Sequence, residues 1–256
     1  MKKPIIILTT FIGLVVCIIF MQQRRLNLLQ DQAISTEDLA RQDQMTGLNL
    51  SVAQRLPTFG FNNLVADWFF LQFLQYFGDG DVREELGYGL SPEFFRVIIP
   101  NDPYYRLFYI FMSGSTSNFA GQPEVSIELL SEGLQHMTPT VPDDSFYLWR
   151  YKAVDQLLFL GDGEAAQQSF QTAADWALQS SHADAPFIAE NSQRTANFLA
   201  TNPDSRFAQI NSWFTILANA FDDETRQRAI ERIEALGGQV VPNERGGFSI
   251  QLPTDD

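Results

Sequence analysis

The sequence predicts an all-α chain with one N-terminal transmembrane helix and a small C-terminal β-hairpin. Three observations carry that reading. Residues 59–77, FGFNNLVADWFFLQFLQYF, hold eight aromatic residues in nineteen positions, and their polar positions scatter around the helix axis. A helix that is apolar nearly all round belongs inside a protein. Residues 5–21 form an uncharged apolar run. Beyond residue 100, apolar runs of helical period alternate with short polar breaks.

The apolar run 5–21 is seventeen residues long, so as a helix it spans about 26 Å, near the lower limit for crossing a bilayer. A cleaved signal peptide and a lipoprotein signal ending at Cys17 are the rival readings. No small-x-small pair follows the run, and Val15 and Val16 precede the cysteine. Both facts favour an uncleaved anchor over residues 1–24. Lys2 and Lys3 face Arg24 and Arg25 across it. With the α-amine added, the positive-inside rule places the amino end in the cytoplasm and the main domain outside it.

Residues 25–56 read as a helical stalk, with a new helix start at Ser35-Thr36-Glu37-Asp38. Pro57 closes it. The aromatic helix follows and ends at Gly78-Asp79-Gly80-Asp81, which is a helix cap; the other positions of a calcium loop are missing. Four later starts set Asp or Asn beside proline: 101–103, 142–144, 184–186 and 202–204. They bound helices over 104–119, 125–137, 146–160, 164–178, 187–199, 206–221 and 224–236, joined as antiparallel hairpins. Residues 57–237 form this helical domain. Residues 238–256 differ: Gln239-Val240-Val241 and residues 248–252 flank a glycine turn and read as two strands capping the last helix.

The chain has 256 residues, 31 acids against 17 bases, and a net charge of −14. Four of the bases lie in residues 1–25, so the remainder carries 13 bases against 31 acids, a net of −18. Such a surface repels phosphate, which excludes a nucleic-acid partner. It also repels an anionic lipid surface. Cys17 is the only cysteine, so no intrachain disulfide and no cysteine-rich zinc site can form.

Residues 147–180 set Ala153 and Leu157 on one helix and Ala166, Phe170 and Ala173 on the next, at A-x-x-x-F-x-x-A spacing. Small residues let two helices approach while Phe170 fills the space between pairs. With Ala229 and Ile233 four apart further on, this resembles a divergent tetratricopeptide-repeat (TPR-like) α-solenoid of a bacterial membrane-anchored kind. Arg150, Val154 and Leu178 depart from the repeat's usual residues. The resemblance implies protein binding in a concave groove, lined in the best repeat by Leu148, Tyr151, Asp155, Leu158 and Phe159. Tyr151 and Asp155 do not match the carboxylate-clamp subclass.

Motifs for catalysis are missing. There is no G-x-S-x-G, no H-E-x-x-H and no glycine-rich phosphate loop. The two histidines, His136 and His182, sit at helix ends in polar settings. The chain therefore reads as no enzyme, with no cofactor and no metal. Asp67 is a carboxylate in strongly apolar surroundings, expected buried and held by a neighbouring group, or serving with Trp68 and Gln72 as a polar anchor for a partner. The expected function is a membrane-anchored acidic scaffold for membrane-associated protein partners, an assembly factor for a membrane complex. The alternative is a module binding an apolar ligand or lipid in an aromatic-lined pocket.

Overall fold

The computed structural model describes residues 36–219, 223–242 and 247–254. Residues 5–21 lie outside that set. Among the described residues, no helix is long and apolar enough to cross a membrane.

The described chain is mostly helical. Its elements are α1 (Thr36–Ala53), α2 (Asn62–Gly78), α3 (Gly80–Leu86), α4 (Ser91–Asn101) and α5 (Arg106–Met112), then a π-helical segment (Ser113–Phe119) and α6 (Pro123–Leu134). There follow α7 (Phe146–Leu158), α8 (Gly163–Ala177), α9 (Ala185–Thr201), α10 (Arg206–Asn219), α11 (Asp223–Ala235) and the strands β1 (Gln239–Pro242) and β2 (Phe248–Gln251). Contacts divide the chain into residues 1–44 and a compact body from Met45 onward. The body holds the packing described below.

The innermost helix is α4, not the aromatic α2. Phe94, Phe95, Val97, Ile98 and Ile99 of α4 are each at most 1% exposed. Its start is written as Ser91-Pro92-Glu93, a proline in the first turn followed by an acid that favours the helix N-terminus. Helix α2 lies on α4 through one side only, burying Ala66, Phe70 and Phe73. Phe73 meets Phe95 with ring centroids 4.6 Å apart, and Phe70 meets Phe108 of α5 at 4.8 Å. The aromatics of α2 that point inward thus interlock with those of α4 and α5 and leave the interior filled.

The expected helix over 104–119 is two structures. An ordinary helix ends at Met112, and the turns widen through Ser113–Phe119. Four of those seven residues are Ser or Thr, whose side chains compete with the helical ladder. The packing of α7 against this segment supplies the compensation described in the next section.

From α7 onward the body follows the expected pattern of packed helices. Helix α8 lies between α7 and α9. Ala153, Leu157, Ala166, Phe170, Ala196 and Leu199 share one buried cluster. Asp162 caps α8 by accepting the Ala165 N–H at 2.9 Å. Gly163 is obligatory there, because a Cβ would fall 1.8 Å from the Pro203 carbonyl oxygen. At the end, β1 and β2 pair antiparallel, with Val240 opposite Ile250. Val240, Phe248 and Ile250 pack on Ile210, Trp213, Ala229 and Ile233, so the hairpin closes the α10–α11 pair.

Candidate functional site

Helix α2 and the chain leading into it present an apolar face to solvent. Leu64, Trp68 and Leu71 follow at i, i+4 and i+7, and stand 66%, 60% and 56% exposed. Leu56, Phe59 and Phe61 precede them and are 61%, 84% and 65% exposed. On α1, Met45, Leu48 and Val52 form a second exposed stripe. Single exposed apolar residues are ordinary, but a stripe of this length is a mark of an interaction surface.

The same stretch is poor in charge. Between Asp43 and Asp79 lie 35 residues with two charged side chains, Arg55 and Asp67. Both are exposed, and neither forms an ion pair within the described chain. The rest of the protein is strongly acidic, so this stretch stands out as neutral.

Asp67 was expected to be buried and is not. It sits on the outward side of α2, one position past the buried Ala66. Burial on α2 follows the side facing α4, and Asp67 is turned away from it. Trp68 beside it is exposed as well, while Gln72 is half-buried. Asp67, Asn63, Asp102, Tyr104 and Tyr105 line an open concavity. Asp102 closes α4, accepting the Tyr104 N–H at 3.1 Å and the Asn63 amide at 3.3 Å. Tyr104 and Tyr105 are half exposed, and the Tyr105 ring stands edge-on to Phe108.

The five groove positions proposed on α7 are placed differently. Leu148 and Asp155 are buried, at 0% and 1% exposure, and face neighbouring helices instead of an open groove. Leu158 and Phe159 are partly covered by α10, with Phe159 5.4 Å from Trp213. Tyr151 is half-buried and its phenol is pushed up to about 12, by burial first. The π-helical segment, α6 and α10 pack against α7, covering Leu148 and Asp155 and leaving Tyr151, Leu158 and Phe159 half-buried.

Sequence reasoning missed what Asp155 does. Its carboxylate accepts hydroxyl hydrogen bonds from Ser113 at 2.8 Å, Ser117 at 2.7 Å and Ser126 at 2.6 Å. The widened turn puts Ser113 and Ser117 on one carboxylate together with Ser126 of α6. Burial pushes the Asp155 carboxyl up to about 6, and the three hydroxyls hold it down from going further. The run Lys152-Ala153-Val154-Asp155-Gln156-Leu157-Leu158 could have signalled a buried acid, since apolar residues flank Asp155 much as they do Asp67.

Arg150 is a second interior polar strut. It donates to Ser192 at 2.8 Å and lies over the Phe170 ring, and burial lowers its pKa. His182 stacks edge-on against Phe146 and takes the Asp184 N–H on Nδ1 at 3.1 Å. Among the described residues, no group of three His, Cys, Asp or Glu side chains could hold a metal ion.

Compared with known proteins, the chain matches no family model, no curated protein and no solved structure. The exposed face of α2 is the candidate site, on the exposure of Leu64, Trp68 and Leu71.

Proposed function

We propose that this chain is a membrane-anchored helical scaffold that docks a protein through the outward face of α2, in the assembly or stabilisation of a membrane complex. The observation that carries the reading is the stripe Phe61, Leu64, Trp68 and Leu71, apolar and open to solvent on a folded body. Isolated in water, such a stripe costs hydration free energy that a partner would recover. The α7–α9 packing around Ala166 and Phe170 supports a TPR-like solenoid, while α4 and α5 hold the α2 face from behind. Residues 5–21 supply the anchor, with the acidic body outside the cytoplasm.

The alternative of an apolar-ligand pocket has less support. The inward aromatics of α2, α4 and α5 contact one another at 4.6–6.1 Å between centroids and fill their own interior.

The test is a photoreactive amino acid placed at Leu64 or Trp68 in the full chain, irradiated in its native membranes, with Glu190 as the exposed control. Protein adducts from 64 and 68 and none from 190 are expected. Lipid adducts alone, or equal adducts from all three sites, would sink the proposal. Carbonate extraction should leave the chain in the membrane, and a mature N-terminus near residue 22 would end the anchor.

A further inference from the structure

The concavity beside α2 holds two acids and no base, and that charge selects the partner. We infer that the protein docked on α2 presents an arginine, whose guanidinium enters between Asp67 and Asp102 while apolar side chains of the same segment cover Leu64, Trp68 and Leu71. The inference rests on the reading of the α2 face as a protein-docking surface and names what that face selects.

The concavity and the stripe are one surface. At about 100° per residue, Asn63, Asp67, Leu71, Leu64 and Trp68 follow one another round α2 within an arc of roughly 140°. Ala66, Phe70 and Phe73 hold the opposite side against α4 and α5. Asn63 and Asp67 therefore stand at the edge of the arc nearest the body. There the chain passing from α4 into α5 brings up Asp102, Tyr104 and Tyr105. A segment lying along the stripe reaches the concavity without leaving α2.

The charge in the concavity is unbalanced. Among the described residues, neither Asp67 nor Asp102 forms an ion pair. Asp102 accepts the Tyr104 N–H and the Asn63 amide, which fix its carboxylate in the wall. An ionised carboxylate has about four lone-pair positions, so two bonds do not exhaust it. Arg106, the base next to Tyr105, is committed elsewhere: it pairs with Asp144 at 3.0 Å and lies over the Tyr147 ring. The described chain supplies no counter-ion to this pair of acids.

The lining suits a guanidinium above other cations. Tyr104 and Tyr105 are half exposed beside the acids, and the Tyr105 ring is set edge-on to Phe108. Arginine stacks on such rings and binds a carboxylate through two parallel N–H groups. A hard metal ion takes about six or more oxygens, and among the described residues no third acid joins these two. A lipid headgroup brings a phosphate with its cation, which both the concavity and a chain of net charge −14 repel.

Panning random peptides displayed on phage against the full chain in phosphatidylcholine nanodiscs tests the inference. The informative peptides are those whose dissociation constant rises at least about tenfold on Trp68→Gln. They should carry an arginine at a fixed spacing from two apolar residues. Asp67→Asn should weaken them about threefold and Asp67→Arg at least about tenfold, with the thermal midpoint unchanged. Glu190→Arg alters the net charge equally and should leave them within about twofold. Panning repeated on the Asp67→Arg chain should return an acid in place of the arginine. Trp68-dependent peptides without a basic residue would overturn the arginine and leave the docking face standing. So would peptides indifferent to Asp67→Arg, or weakened as much by Glu190→Arg. Failure to recover any Trp68-dependent peptide, or lipid adducts alone from a photoreactive residue at 68, would remove both.

Discussion

The two ends of the body handle apolar side chains in opposite ways. In the seam between α7, α8 and α9, Ala153, Ala166, Phe170 and Ala196 are at most 4% exposed, and small residues bring the helices close around one ring. On α2, Phe70 and Phe73 are buried just as well, but Leu64, Trp68 and Leu71 of the same helix stand more than half exposed. The seam is a finished core and α2 is half of one. The carboxylates repeat the contrast. Asp155 is sealed among three hydroxyls, whereas Asp67 faces solvent with its charge uncommitted. A helix that is apolar all round is thus compatible with two environments, one side on its own body and the other on something else.

The largest effect should come from the seam. Phe170→Ala removes a ring that α7, α8 and α9 enclose and leaves a cavity that the alanine-lined walls collapse into poorly. It should cost about 3–5 kcal/mol of unfolding free energy. Denaturant unfolding measures it, and a loss below about 0.5 kcal/mol, the usual surface range, would break the contrast at its core side.

Asp155 comes next and is set apart by its pH dependence. Its carboxyl rises from 3.8 to about 6 on folding. Between those values the folded chain holds a proton that the unfolded chain has released. The stability linked to this group is complete below pH 3.8 and is lost as pH rises through 6. The full loss is about 3 kcal/mol. Asp155→Asn cannot ionise and can still hydrogen-bond the serines. Relative to wild type it should gain about 3 kcal/mol between pH 4 and pH 7.5. A difference between the two proteins that stays constant with pH would show that Asp155 does not titrate in this range.

A smaller effect is expected at Gly133 of α6. A Cβ there would lie 1.9 Å from the Tyr109 hydroxyl oxygen. That hydroxyl is buried and donates to the Pro103 carbonyl at 2.7 Å, and burial raises its pKa. Gly133→Ala must push the phenol off its partner and should cost about 1–3 kcal/mol by overpacking. Gly133→Ala combined with Tyr109→Phe should lose less than the two single changes added, because both act on one hydroxyl.

How much of this was legible in the sequence depends on the physics of each element. Helices α6 to α11 and the hairpin fall within a few residues of where periodicity and the proline and glycine breaks put them, because both signals are written locally in the chain. Ala166, Phe170, Ala229 and Ile233 are buried, as their spacing implied. Helix α4 was missed although Ser91-Pro92-Glu93 announces it, since its apolar positions are nearly continuous and offer little period. The π-helical segment depends on Asp155, 38 residues beyond Ser117, and no local pattern encodes that partner. The exposure of Asp67 was also hidden. The residue type records that α2 is apolar on every side, but which side meets α4 is decided by tertiary packing.

The smallest stability effect is expected on the open face, and it carries the functional half of the comparison. Leu64→Gln and Trp68→Gln replace side chains that already meet water, on a helix held from its other side by Ala66, Phe70 and Phe73. Neither change opens a cavity or strands a buried polar group, so each should alter unfolding free energy by less than about 0.5 kcal/mol. The same changes remove apolar area from an exposed stripe, so self-association and aggregation of the purified chain should fall. Phe70→Gln, in the same helix and turned inward, should do the reverse and cost several kcal/mol by burying an amide without a partner. Side-by-side unfolding of the three variants reads which side of α2 faces the core. If Trp68→Gln lost as much as Phe70→Gln, α2 would be covered on both sides, and neither the docking face nor the contrast with the α7–α9 seam would survive.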